Sequence, residues 1–176
     1  MKIAFLAPRY HTNQISLVNY LLKVRHKVSF YVVRIAEIED HSSLKPVLIN
    51  LSFISKILKL FFFNSNKSLS NYRYGIPSIN ELLKLKTKKY DLIIIRDPVN
   101  LMSLSYLFWA KIIRLRVILY IQREIHRKNS LKIKEMLESM LLKFFKTECI
   151  SPCLGKLKYK KMNNITYLPF CLNVIN

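Results

Sequence analysis

The sequence predicts an α/β fold, a Rossmann-like, doubly wound and mostly parallel sheet with helices on both faces. Short apolar runs alternate along the chain with segments of helical periodicity, and that alternation is typical of βαβ units. The run at residues 90–95 is almost entirely apolar, as expected for a strand at the buried centre of a parallel sheet. A length of 176 residues fits one domain of this kind.

The chain opens with a βαβ unit. Residues 2–7 form an apolar strand that ends at Pro8, and residues 27–33 form the next strand. The loop after the first strand lies at its carboxyl end, where open parallel sheets bind their ligands, so we expect a site to begin within residues 9–13. The helix between the two strands is predicted from apolar side chains on one side, namely Ile15, Leu17, Val18, Leu21 and Leu22.

The middle of the chain is less regular. Residues 47–51 fit a short third strand, residues 53–63 a helix and residues 64–74 a polar loop. Ser78 is predicted to cap the next helix, because its hydroxyl can accept a hydrogen bond from a free amide of the first turn. Glu81 follows three residues later, as in a capping box.

The helix at residues 53–63 is a candidate for membrane contact. Aromatic rings can lie at the headgroup boundary while lysines meet anionic lipid, at about 1 kcal/mol per basic residue. The alternative is that the helix packs on the sheet and its phenylalanines fill the core, and periodicity over so short a segment does not decide between the two. The residues concerned are Lys56, Lys59, Phe61, Phe62 and Phe63.

Strands and helices continue to alternate in the second half of the chain. A helix is predicted over residues 101–114 and a strand over residues 116–120, with short strands near residues 148–150 and 165–168. Ser130 is predicted to cap one further helix between these strands. Its predicted core-facing side chains are Ile133, Leu137, Met140, Leu141 and Phe144.

Polar residues follow three of the predicted strands, within residues 9–13, 96–100 and 122–126. Because the carboxyl ends of parallel strands meet at one edge of a sheet, these exits should converge on one cleft suited to a polyol or a phosphate. Each residue alone has an ordinary surface or turn explanation, but the edge as a whole favours a function. The predicted substrate-binding residues are Arg9, His11, Thr12, Asn13, Arg96, Asp97, Asn100, Gln122 and Glu124, with His126 beside them.

The formal net charge of +20 points to anionic partners, which are acidic lipid, nucleic acid or phosphorylated substrates.

The sequence has three cysteines, Cys149, Cys153 and Cys171. Their number is odd and their spacing does not suggest a set of disulfide bonds, so we expect a reducing compartment. We also expect no zinc site. The sequence has no glycine-rich dinucleotide loop, no P-loop and no nucleophile elbow, and we expect no cofactor. No segment resembles a signal peptide or a membrane span, so the expected location is cytoplasmic.

The sequence resembles the N-terminal half of a two-domain glycosyltransferase of the GT-B fold, from the large retaining family 4, or group 1, type. The resemblance covers nearly the whole chain. It is carried by residues 2–8 with the loop and helix after them, residues 26–28, residues 90–98, residues 150–152 and residues 167–170. In such enzymes the last of these segments leads into the second domain.

The resemblance implies that this chain holds the acceptor, a cell-surface glycan or a lipid-linked sugar, and that an absent C-terminal domain holds the nucleotide-sugar. Residues 1–176 would then form one N-terminal domain that is inactive alone, as a truncated chain, a gene fragment or one subunit of a split enzyme. The chain departs from the family at His11, Thr12 and Asn13, where relatives often carry glycines, and at Arg96, where many carry a histidine. The catalytic residues are therefore left unassigned.

Two other functions compete with this interpretation. One is a non-catalytic subunit of the same fold that recruits a split glycosyltransferase to the inner face of a membrane, as a peripheral protein. The other is a basic nucleic-acid binder, which is disfavoured because the aromatic residues lie mostly in apolar runs and no nucleic-acid module is recognised.

Overall fold

The computed structural model describes residues 1–10, 12–35, 41–61, 74–121, 131–151 and 165–167. Strands and helices alternate along most of the chain. In chain order they are β1 (Lys2–Ala7), α1 (Thr12–Lys23), β2 (Lys27–Val32), β3 (Val47–Leu48), α2 (Phe53–Phe61), α3 (Ile79–Thr87), β4 (Leu92–Arg96), α4 (Leu101–Ile112), β5 (Arg116–Tyr120), α5 (Leu131–Phe145), β6 (Glu148–Ser151) and β7 (Ile165–Tyr167).

The strands form one sheet in the order β3-β2-β1-β4-β5-β6-β7, and each neighbouring pair is parallel. The chain builds the sheet outward from β1 in one direction and then returns to build from β4 in the other. The direction of winding therefore reverses between β1 and β4, which makes their carboxyl ends the topological switch point of the fold. The predicted fold class is confirmed.

The core lies on both faces of the sheet, because successive side chains of a strand point to opposite faces. Ile3 and Phe5 of β1 pack with α1 on one face, where Val18 is fully buried. Ala4 and Leu6 join the core of the other face, which α3, α4 and α5 cover. Burial on both faces is why β1 and β4 are apolar at almost every position rather than at every second one.

The prediction of which side of α5 faces the core is wrong. Leu137, Met140 and Phe144 are exposed, and Phe144 keeps 78% of its surface, whereas Glu138 and Leu142 are buried. Leu141 is half-buried, and the side chain of Ile133 and the cap Ser130 lie outside the described residues. Apolar residues lie on more than one side of this helix, so periodicity alone did not select the side that meets the sheet.

The predicted capping box at α3 is also wrong, although α3 does begin directly after Ser78. Ser78 has the extended backbone of an N-cap, but its side chain caps no amide among the described residues. Its own amide donates to the carbonyl of Asn50 at 2.9 Å. Glu81 is buried and accepts hydrogen bonds from Asn50 Nδ2 at 3.0 Å and Lys84 Nζ at 2.6 Å. A tertiary partner, Asn50, thus replaces the local cap.

Two buried tyrosines join β2 to the start of β4. The hydroxyls of Tyr31 and Tyr90 lie 2.8 Å apart, and Lys88 Nζ lies 3.3 Å from the Tyr31 hydroxyl. Burial raises the pKa of Tyr90 to about 12, with the hydrogen bond from Ser29 opposing that rise and Tyr31 adding to it. Burial also raises the pKa of Tyr31.

We expect the alkaline stability of the protein to depend on Tyr90. The pKa of Tyr90 in the folded protein is raised above the ordinary 10.0. The contribution of Tyr90 to the free energy of unfolding is therefore complete below pH 10 and is lost as pH rises toward about 12. Urea unfolding across this pH range should show a steep decline in the free energy of unfolding, and Tyr90→Phe should make that decline shallower. An identical decline in the two proteins would contradict the assignment.

Candidate functional site

The carboxyl ends of β1 and β4 bring two of the predicted loops side by side. Leu6 pairs with Ile95 in the parallel register, so Pro8 and Arg9 leave the sheet next to Arg96 and Asp97. β5 lies on the other side of β4. The prediction that β1, β4 and β5 are neighbours around the switch point is confirmed, and this edge of the sheet is the candidate site.

The loop that follows β4 is held in one shape by its own polar groups. Asn100 Nδ2 donates to the carbonyl of Asp97 at 3.0 Å, and the Ser103 hydroxyl donates to the carbonyl of Arg96 at 3.1 Å. Asp97 has a φ of 52°, a left-handed conformation that Asp tolerates better than most residues. Its amide donates to the carbonyl of Tyr120 at 3.3 Å, which ties the loop to β5. The backbone around Arg96 is therefore fixed before any ligand arrives.

Arg96 and Asp97 form a loose ion pair where this loop leaves β4. Arg96 Nε lies 3.7 Å from Asp97 Oδ2, and their side chains are 16% and 20% exposed. The N-cap position of α4 is Asn100, so Asp97 does not cap this helix. Its carboxylate lies beside the Arg96 guanidinium instead. The planar fork of Arg96 can bind two oxygens of a phosphate or carboxylate at once.

The first loop contributes one exposed and one buried side chain. Arg9 is exposed beside Pro8. Tyr10 is fully buried, with its ring 4.5 Å from that of Phe30 between centroids. Tyr10 therefore anchors the loop in the core while Arg9 faces solvent. The other predicted residues of this loop are only partly described: His11 lies outside the described residues, and so do the side chains of Thr12 and Asn13, whose backbones begin α1.

Sequence reasoning missed His41. Its ring is stacked on that of Tyr10, with centroids 5.9 Å apart and an interplanar angle of 16°. His41 is half-buried and lies in the segment that follows β2, the other neighbour of β1. The same rule that selected the exits of β1, β4 and β5 applies to β2, so that rule was the signal that could have found this residue. Gln122, Glu124 and His126, predicted after β5, lie outside the described residues.

The predicted membrane-contact helix is described in part. Phe61 keeps 78% of its surface exposed and does not fill the core, and Phe53, Ile54 and Ile57 are exposed as well. Among the described side chains of α2, Ser55 is buried, and its hydroxyl donates to the carbonyl of Ile76 at 2.8 Å. The side chains of Lys56, Lys59, Phe62 and Phe63 lie outside the described residues.

Neither a metal centre nor a membrane span is present within the described ranges. The residues that the structure describes contain no group of three or more His, Cys, Asp and Glu side chains placed to hold a metal ion. Across the same part of the chain, no helix is both long enough and apolar enough to cross a membrane.

Comparison with known proteins shows the fold. No protein-family model matches the sequence, and no curated protein matches it either. Among solved structures, the chain is similar to MnaA of S. aureus, in a co-structure with UDP, at a TM-score of 0.58 and 13% identity over 94% of this chain and 43% of that one.

Two further similar structures are glycosyltransferases. SsfS6 of Streptomyces sp. SF2575 matches at a TM-score of 0.51 and 14% identity, over 97% of this chain and 54% of that one. The calicheamicin glycosyltransferase CalG4 matches at a TM-score of 0.50 and 8% identity, over 97% of this chain and 53% of that one. The chain thus shares the fold of part of each of these proteins and spans about half the length of each.

Proposed function

We propose that this chain is the acceptor-binding half of a GT-B glycosyltransferase of the family 4 type, transferring sugar from a nucleotide-sugar to a glycan or lipid-linked acceptor. The observation that carries the proposal is the switch point between β1 and β4, where Arg9, Arg96 and Asp97 leave the sheet together. Structures with this fold include two glycosyltransferases, and the chain spans about half of each. Fold alone does not determine function, so the site supports the proposal and the comparison agrees with it.

The geometry supports a binding role more than a catalytic one. Arg96 and Arg9 can neutralise a phosphate or carboxylate on the acceptor, while the steadied loop keeps the acceptor hydroxyl in a fixed position. Transfer further requires the nucleotide-sugar to be held in line with that hydroxyl, since both substrates must share one geometry. In this proposal a second domain supplies the nucleotide-sugar site, and the enzyme acts at the cytoplasmic face of the membrane.

A second candidate function is a non-catalytic subunit that recruits a split glycosyltransferase to the membrane. The observation that favours it is the exposed apolar side of α2, formed by Phe53, Ile57 and Phe61. These residues recur every four positions along the helix, so they lie close together on one face. A face of this kind can enter the headgroup region of a bilayer.

We expect the chain alone to bind an acceptor-type ligand and to transfer no sugar. Saturation-transfer NMR against UDP and a panel of oligosaccharides and polyprenyl-type phosphates, followed by transfer assays with nucleotide-sugars, measures both properties. Binding of a glycan or phosphorylated lipid analogue, with weak or no UDP binding and no turnover, supports the proposal. Tight UDP binding without acceptor binding would make this the donor half, and turnover by the chain alone would also refute the proposal.

A further inference from the structure

A groove opens at the amino edge of the sheet, opposite to the candidate site. It lies between α3 and α4 and has a volume of about 640 Å³. Its lining includes the residues just before β4 and the first residue of β5. Tyr90 and Leu115 contribute buried side chains to it. We call this feature the amino-edge groove.

The amino-edge groove carries an excess of positive charge. Lys86, Lys89 and Arg114 line it, and none of them makes an ion pair with any residue that the structure describes. Arg116 also lines it but pairs with Glu148 at 2.9 Å. The acid of the groove, Asp91, accepts a hydrogen bond from the backbone amide of Lys2 at 2.6 Å. Within the described part of the chain, three cations without an ion pair therefore line the same groove as one carboxylate that is already hydrogen-bonded.

Apolar surface lies among these cations. Ile112 keeps 69% of its surface exposed and Leu83 keeps 38%, and both line the groove. The indole N–H of Trp109, a further lining residue, is buried and has no hydrogen-bond partner among the described residues. Cations beside an exposed isoleucine and a half-buried tryptophan form the combination found where proteins meet the headgroup region of a bilayer.

The groove belongs to a wider basic band along the amino edge. Arg25, Lys89, Arg114 and Lys146 each follow a helix and precede a strand, and each has a left-handed φ of 46° to 63°. Glycine adopts this conformation without strain and is the usual residue at such turns, but each of these four positions is lysine or arginine. Interaction with the helix C-terminus explains part of this choice. It does not explain the exposed Ile112 and Leu83 beside the cations.

We propose that the amino edge docks on an anionic phospholipid surface, with a lipid phosphate seated in the amino-edge groove. Lys86, Lys89 and Arg114 supply the charge, and Ile112 and Leu83 enter the acyl boundary. A nucleic acid would use the cations but not the exposed aliphatic side chains, which is why a bilayer fits better. This docking surface is separate from the proposed sugar-transfer site and from α2, because it lies at the opposite edge of the sheet.

This docking fixes the orientation of the candidate site. The amino and carboxyl edges of the sheet are one strand length apart, which is roughly 20 Å. A bilayer on the amino edge leaves Arg9 and Arg96 on the side that faces away from the membrane. An acceptor anchored in the bilayer must in this orientation be long enough to reach the far edge of the sheet.

Sedimentation with vesicles tests the docking surface. The chain is mixed with phosphatidylcholine vesicles, with or without phosphatidylglycerol, at low and at high salt. We compare the wild type with a double variant, Lys89→Asn with Arg114→Asn, in which asparagine keeps the left-handed backbone. The matched control is Arg34→Gln with Lys45→Gln, two exposed cations away from the groove with the same loss of charge.

The expected result is strong, salt-sensitive binding to anionic vesicles alone. The groove variant should lose roughly thirty-fold in partitioning, at about 1 kcal/mol per basic residue, and the control much less. Ile112→Ser should weaken binding without changing its salt dependence. Equal losses in the groove and control variants, loss only on Phe61→Ser in α2, or tighter groove-dependent binding to duplex DNA would each overturn the proposal. None of these results depends on glycosyl transfer.

Discussion

Replacing Phe5 with alanine is expected to lower the free energy of unfolding by about 3–5 kcal/mol. Phe5 is fully buried in β1, next to the switch-point neighbour β4. Its ring stacks on that of Phe30 at 4.6 Å between centroids and lies 6.0 Å from that of Tyr120. The alanine would leave a cavity between three strands, which the regular hydrogen bonding of the sheet does not allow to collapse. Domains have only about 5–15 kcal/mol of stability, so much of the protein should unfold at modest urea concentrations.

Phe53→Ala is the matched control, because Phe53 is 72% exposed on α2. Its replacement should change the free energy of unfolding by less than about 0.5 kcal/mol. Urea unfolding followed by circular dichroism measures both variants under the same conditions. If Phe5→Ala proved no more destabilising than Phe53→Ala, then β1 would not occupy the buried centre of the sheet.

The strands were the part of the fold that the sequence determined best. β1 and β5 begin and end at the predicted residues, Lys2–Ala7 and Arg116–Tyr120. Both lie inside a parallel sheet that is covered on two faces, so burial requires apolar residues at nearly every position and the run ends where burial ends. The third strand was predicted less well. β3 spans only Val47–Leu48, and Leu51, predicted within it, forms an isolated antiparallel bridge with Pro77.

Helix faces and caps were predicted poorly, because tertiary partners decide them. α5 offers apolar residues on several sides, and the sheet buries Leu142 while leaving Met140 and Phe144 exposed. At α3 the distant Asn50 makes two hydrogen bonds: its carbonyl accepts from the amide of Ser78, and its Nδ2 donates to the carboxylate of Glu81. No local pattern contains that contact. Sequence periodicity indicates that a helix exists, but the identity of its neighbours sets its orientation.

The location of the candidate site followed from topology, whereas its internal contacts did not. Polar residues after two apolar strands sufficed to predict that Arg9 and Arg96 lie on one edge. The hydrogen bond from Asn100 to Asp97 and the stacking of His41 on Tyr10 needed three-dimensional positions. Asn100 was predicted to bind substrate. In the structure its amide group supports the loop, and a substrate contact through the same side chain stays a prediction.

Arg96→Ala is expected to weaken the binding of a phosphorylated acceptor analogue by about 10- to 150-fold, since hydrogen bonds to charged groups contribute ~1.5–3 kcal/mol. The expectation follows from the proposed function and from the position of Arg96 at the switch point. Asn100 and Ser103 fix the backbone around it, and Asp97 lies 3.7 Å from its Nε. A guanidinium on a fixed backbone, with a carboxylate beside it, loses less freedom when an anion binds than one on a mobile loop, so its removal should weaken binding.

Calorimetric titration with geranyl diphosphate, a soluble probe, measures this effect. Arg96→Lys should recover part of the affinity, because lysine keeps the charge but lacks the planar fork that binds two oxygens together. Thermal unfolding of each variant should stay close to that of the wild type, since Arg96 lies at the edge of the core rather than inside it. The Lys89→Asn, Arg114→Asn double variant separates the two anion sites of the sheet. If that variant abolished binding and Arg96→Ala left it unchanged, the probe would bind in the amino-edge groove, and Arg96 would have no role in anion binding.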